Sequence, residues 1–138
     1  MRRVVLSLLL AFAAAAPLQA QVVVVTADAG PVKALSRSEA EQLYLGRRTT
    51  LENGLSVSLI DLPSGAVRNQ FYQLLTGKNP GQIRAYWSRQ VFTGRALPPR
   101  EAASIEEARE LLIAEPASIG YLPESGLDKR LRVLLRLR

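Results

Sequence analysis

Four consecutive valines, Val22 to Val25, sit between Gln21 and Thr26 without a charge among them. An uninterrupted apolar run of this length predicts a strand buried on both faces. Asp28-Ala29-Gly30-Pro31 breaks it. Ser36 with Glu39 three residues on is a capping-box pattern, and a helix is predicted from there to about Leu45, with Ala40, Leu43 and Tyr44 on one face and Gly46 as its stop. Arg47-Arg48-Thr49-Thr50 reads as exposed loop and Glu52-Asn53-Gly54 as a turn. Leu55 to Leu62 is a second predicted strand, ended by Pro63-Ser64-Gly65. Ser64 is placed to cap a helix over 65–76, in which Val67, Phe71, Leu74 and Leu75 form a core stripe.

Asn79 followed by Pro80 opens a further helix, with Ile83, Trp87 and Val91 recurring every four residues. That spacing assigns Trp87 and Tyr86 to core packing. Thr93 to Arg100, with Pro98-Pro99, is predicted loop. Ser104 and Glu107 give a second capping box before a helix through Ala114, with Ile105, Ala108, Leu111 and Leu112 facing inward. Ile119 to Leu122 and Leu131 to Leu137 are the last two predicted strands. The order β-α-β-α-α-α-β-β predicts an α/β fold, a small mixed sheet flanked by helices.

Residues 1–20 follow a different rule. Met1-Arg2-Arg3 is a basic start, Val4 to Ala16 an apolar stretch, and Pro17-Leu18-Gln19-Ala20 resembles a signal-peptidase site. The stretch is too short to span about 30 Å of hydrocarbon at about 1.5 Å per residue. The expectation is a cleaved signal peptide over 1–20, the alternative being an uncleaved anchor since Leu18 is unusual at its place in the cleavage site, a single domain over 21–138 and a periplasmic location, with no transmembrane segment in the mature chain.

The 138 residues include no Cys and no His. This excludes a disulfide framework, a thiolate nucleophile, an imidazole base and the usual nitrogen and sulfur ligands of zinc. No cofactor is implied. Without Arg2 and Arg3 the chain carries 16 basic and 12 acidic side chains. Lys129, Arg130, Arg132, Arg136 and Arg138 cluster at the C-terminal end against Asp128 alone. A nucleic-acid binder spreads such residues along one face with aromatics between them, so nucleic acid is not an expected partner. Two readings remain for the cluster: a charged last strand that resists edge-to-edge pairing, or attraction to an anionic membrane or polymer.

Four segments resemble the phosphate-binding proteins of ABC-type uptake systems, the PstS-like family with the type 2 periplasmic binding fold. They are "LSRSEAEQLYLGRRTTLENG", "VSLIDLPSGAVRNQFYQLL", "AYWSRQVFTGRALPP" and "PASIGYLPES", in order over nearly all of residues 22–137. The resemblance implies a single lobe of that fold, a non-enzymatic role in phosphate binding, and an envelope or ABC-transporter protein as partner. It also implies a phosphate loop of the form R-x-x-G-S-G-T. Here the loop reads Asp61-Leu62-Pro63-Ser64-Gly65-Ala66: the Ser-Gly pair is present, Ala66 stands at the Thr position, and the preceding Arg is missing.

The loop has its own chemistry. A strand followed by Pro-Ser-Gly and a helix leaves the Gly65, Ala66 and Val67 amides without helical partners. Ser64 adds a hydroxyl, the helix start carries about half a positive charge, and Arg68 lies one turn in. The candidate anion site is therefore Ser64, Gly65, Ala66, Val67 and Arg68, for phosphate or another small oxyanion; the bland alternative is that Ser64 caps its own helix. An open lobe encloses a ligand poorly, so weak binding near millimolar is expected. Catalysis is not: Asp61 with Ser64 lacks a base, and Glu106, Glu107 and Glu110 read as a solvated helix face. Lys33, Arg47, Arg48 and Arg95 are loop cations that could rim an anion site. The rival reading keeps the fold without a ligand, as a periplasmic protein-protein interaction module.

Overall fold

The valine run forms the first strand because strands hydrogen-bond to it on both sides and helices cover it. The computed structural model describes residues 21–138; the expected signal peptide, 1–20, lies outside them. Strand β1 (Val22–Ala27) is buried at every position. It pairs antiparallel with β4 (Ser118–Pro123) and with β5 (Leu131–Leu137). Strand β2 (Ser58–Asp61) runs parallel both to β4 and to the two-residue β3 (Arg100–Glu101). The sheet order is β3-β2-β4-β1-β5, a mixed sheet of five strands, as the element order implied.

Four helices complete the fold: α1 (Arg37–Tyr44), α2 (Ala66–Thr76), α3 (Pro80–Phe92) and α4 (Ile105–Ala114). Helix α1 has both halves of its predicted capping box at Ser36 and Glu39. Asn79 and Gln82 make a second reciprocal box at α3. At α4 Ser104 accepts from the Glu107 amide, but the Glu107 carboxylate turns to the Ala103 amide at 3.4 Å, so the predicted box closes one residue early.

Two predicted boundaries change. Strand β2 is shorter than 55–62, because Ser56 pairs instead with Thr50 in an isolated antiparallel bridge and closes the preceding turn. Of β3, Arg100 falls at the end of the predicted loop 93–100 and Glu101 in no predicted element. Two residues directly after Pro98-Pro99 carry no alternation to read, and they become a strand because Ile60 and Asp61 offer a parallel partner in register.

β5 is an edge strand. Its flanking cations are mostly paired: Arg136 with Glu124 at 2.5 Å, Arg132 with Asp28 at 3.4 Å, and Arg130 with Asp128 at 2.7 Å and Glu110 at 3.1 Å. The basic cluster is thus largely neutralised at a sheet margin, which favours the edge-protection reading. No helix among the described residues is long and apolar enough to cross a membrane.

Candidate functional site

The parallel register of β2 and β3 sets Asp61 beside Glu101 at the carboxyl ends of the two strands. Arg68, in the first turn of α2, spans them, with guanidinium nitrogens 3.7 Å from the Asp61 carboxylate and 3.5 Å from that of Glu101. A third contact, 3.3 Å to the Leu62 carbonyl, fixes the guanidinium. Burial by itself would lower the Arg68 pKa, but the charge of Asp61, with Tyr72, Tyr121 and Glu101, more than offsets this and the pKa is raised.

Asp61 is only 3% exposed. A buried carboxylate is costly unless hydrogen-bonded, and three donors meet this one: the Tyr72 hydroxyl at 2.6 Å, the Leu62 amide at 2.9 Å and the Tyr121 hydroxyl in a short contact. The donors are held by packing. Phe71 stacks on Tyr121 with ring centroids 3.6 Å apart and planes 2° from parallel. Tyr44 and Tyr72 meet Phe71 edge-on. Burial first, then the Asp61 charge, pushes the Tyr72 and Tyr121 hydroxyls well above the usual phenol range. Both stay protonated and keep donating.

Just beyond lies the predicted anion loop. Ser64 does not cap the helix. Gly65 occupies the cap position and α2 begins at Ala66 without a side-chain cap, unlike α1, α3 and α4. The first helical bond runs from the Asn69 amide to the Gly65 carbonyl, so the amides up to Arg68 have no helical acceptor. Ser64, Gly65 and Ala66 are exposed, and Val67 and Arg68 half-buried. A Cβ placed on Gly65 would meet only the Pro63 carbonyl, at 3.9 Å, so the approach to these amides is open. Of the five predicted site residues, four therefore form an open helix start, and Arg68 arrives already engaged by two carboxylates.

A cavity of about 750 Å³ opens here, with Asp61, Ser64, Arg68, Asn69 and Tyr72 on one side, the α3 face from Ile83 to Phe92 on another, and Pro98, Pro99 and Glu101 closing the rim. It lies at the carboxyl ends of parallel strands, the usual ligand position in open α/β sheets. Lys33, Arg47, Arg48 and Arg95 do not line it; Lys33 donates to the Gly30 carbonyl at 3.0 Å, and Arg95 borders a separate shallow pocket of about 460 Å³. Arg84 does line it and makes no ion pair among the described residues. Sequence reading passed over Arg84; its one signal was its position next to Ile83 and one turn before Trp87 and Ser88. Among the described residues no group of acidic side chains could hold a metal ion.

Solved structures of similar fold include phosphate-transport proteins. An ABC-type phosphate transport receptor from Vibrio cholerae matches with a TM-score of 0.62 at 15% identity, over 83% of this chain and 45% of that one. A substrate-binding protein assigned to phosphate ABC transport, from Clostridium perfringens and with phosphate bound, matches at 0.64 and 15%, over 83% and 44%. The chain has the fold of one PstS lobe. PstS from Borrelia burgdorferi itself gives 0.59 at 15% identity, over 83% of this chain and 46% of its own. The chain thus spans less than half the length of these PstS-type proteins. No protein-family model and no curated protein sequence matches it.

Proposed function

We propose that the chain is an exported, PstS-like solute-binding lobe that takes phosphate or a similar oxyanion weakly at the start of α2, in the periplasm and alongside an envelope or ABC-transporter partner. The observation that carries this reading is the uncapped, exposed start of α2. Three other helices have a side chain on their first-turn amides; this one leaves the position to solvent, next to Ser64, which lines the neighbouring cavity together with Arg84. The PstS shape and the phosphate in the Clostridium perfringens structure support it. The basic and apolar pattern of residues 1–20 supports export.

Affinity follows from the parts. The helix start contributes about 0.3–1 kcal/mol and each charge-assisted hydrogen bond about 1.5–3 kcal/mol before ordering costs. Asp61 and Glu101, two carboxylates against the single charge of Arg68, leave no net attraction for an anion at that residue, so the amides and the Ser64 hydroxyl carry the binding and millimolar affinity, about 4 kcal/mol, is the scale.

Thermal unfolding at low salt tests this. About 15 mM phosphate should stabilise the protein by about 1.5 kcal/mol, a rise of about 5 °C. Ala66→Pro removes one donor amide while suiting the first helical position, and Ser64→Ala removes the hydroxyl. Together they should abolish the rise and leave the ligand-free midpoint unchanged. No rise with phosphate or sulfate, or a rise that survives both substitutions, rejects the reading. One observation favours the second reading, an interaction module without ligand: the Arg68 charge is already used by Asp61 and Glu101. That reading takes over if no anion shifts the midpoint.

A further inference from the structure

From Leu62 to Arg100 the chain holds six basic side chains and no acidic one. Arg68 and Arg100 reach carboxylates outside this stretch, and Lys78 lies over the Tyr86 ring at 5.7 Å. Arg84, Arg89 and Arg95 make no ion pair among the described residues. In the large cavity Asp61 and Glu101 balance Arg68 and Arg84. The shallow pocket of about 460 Å³ differs: Arg89 and Arg95 line it with Ser88, Gln90, Phe92 and Thr93, and no acid stands on its wall.

The same turn bares apolar surface. Val91, Phe92 and Leu97 are the large exposed apolar side chains among the described residues, at 49%, 92% and 84% exposure. Soluble surfaces seldom gather such side chains without a use. Nor is the turn a frayed helix end. Gly94, at φ +67°, stops α3; its amide donates to the Val91 carbonyl at 3.1 Å and the Arg95 amide to the Gln90 carbonyl at 3.0 Å, the paired bonds of a Schellman turn. Ala96 then packs at the end of α1, where a Cβ on Gly46 would come within 2.8 Å of it. The helix dipole accounts for cations at a helix C-terminus, but not for a phenylalanine left in water on the same pocket wall.

We propose that the end of α3 and the turn after it dock the protein on an anionic lipid surface. Arg89 and Arg95 meet headgroup phosphates, and Phe92 enters the boundary with the acyl chains, the pairing of basic and apolar groups that holds proteins in a membrane interface. Charge complementarity selects the occupant: two cations without an acidic neighbour on the pocket wall favour an anionic surface over a neutral one. A second copy of the chain is disfavoured, because a two-fold contact through this patch sets arginines against arginines. The proposal is independent of the anion site at the start of α2. It also differs from the reading of the C-terminal cations, most of which are matched by carboxylates.

Co-sedimentation of the whole protein with lipid vesicles decides it. Vesicles of phosphatidylglycerol and phosphatidylcholine in equal parts should bind the protein more tightly than phosphatidylcholine alone at about 0.1 M salt, and about 1 M salt should erase the difference. Arg89→Gln with Arg95→Gln should weaken binding to the anionic vesicles about 25-fold, about fivefold for each charge. Phe92→Ser should weaken it about tenfold or more. All three positions are exposed, so the fold is spared. Lys129→Gln with Arg138→Gln removes the same charge elsewhere and should leave binding unchanged. Residues 1–20 are common to every variant, so binding that stems from them survives the substitutions and counts against the proposal. Equal binding to both kinds of vesicle overturns it, as does anionic-vesicle binding that persists in either substituted turn or falls as far in the C-terminal pair. Absence of vesicle binding overturns it too, and leaves the patch to an acidic protein partner.

Discussion

Asp61 ends β2 with its carboxylate under two tyrosine hydroxyls and a guanidinium, and this arrangement can be probed one atom at a time. Tyr72→Phe or Tyr121→Phe deletes a hydrogen bond to a buried charge, and each should cost about 1.5–3 kcal/mol in urea unfolding. The pH dependence has a definite sign. Because both phenols are raised in the fold, they keep their protons where the unfolded chain, with its ordinary phenol pKa of about 10, has lost them. Their contribution is complete below about pH 10 and declines as pH rises beyond it. The midpoint of thermal unfolding should be flat with respect to these groups from pH 8 to about pH 10 and fall above, with a shallower fall in Tyr121→Phe. Asp61 also shows where sequence reading stops. A lone acid at a strand end carries no signal that Tyr72, eleven residues on, and Tyr121, sixty residues on, converge on it. Arg84 shows the converse: an ordinary helix-surface cation lines a cavity because residues of β2, α2, α3 and β3 surround it.

Among the elements, two serines in the same kind of sequence setting play different parts. Ser36 accepts from the Glu39 amide at 3.1 Å and starts α1; Ser64 precedes α2 and caps nothing. Ser36→Ala should therefore cost about 1 kcal/mol, and Ser64→Ala almost none, a contrast measurable in a single pair of denaturation curves. The helices were legible because caps and apolar stripes are local signals: Ser36, Asn79 and Ser104 mark three starts directly. The fourth start is displaced by one residue because Gly65, not Ser64, takes the cap position. Val91, which recurs with Ile83 and Trp87 every four residues, is 49% exposed near the end of α3, whereas those two are buried. Gly46 is a further test. It holds φ +68° at the end of α1, and a Cβ there would come within 2.8 Å of both the Trp87 ring and Ala96. Gly46→Ala should destabilise the protein by more than about 1 kcal/mol and shift Trp87 fluorescence as the cavity wall moves.

For the molecule as a whole, the sheet type was readable from element order, but strand order was not. Nothing local tells Val22–Ala27 to lie between β4 and β5 rather than beside β2. The placement follows from its valines, which need partners on both edges to leave no backbone group unpaired out of water. Removal of residues 131–138 should expose one whole edge of β1 and abolish cooperative unfolding, as read by circular dichroism with urea.

Among the described strands, β1, interior to the sheet, is the first to be made and the last to be housed. Its two neighbours, β4 and β5, begin at Ser118 and Leu131, more than ninety positions downstream. A ribosome releasing this polypeptide emits this apolar strand long before its partners can shelter it. The nascent chain thus stays pliable until Leu131–Leu137 have emerged, and nascent forms halted ahead of Ser118 should be cut readily by a protease that spares the folded protein.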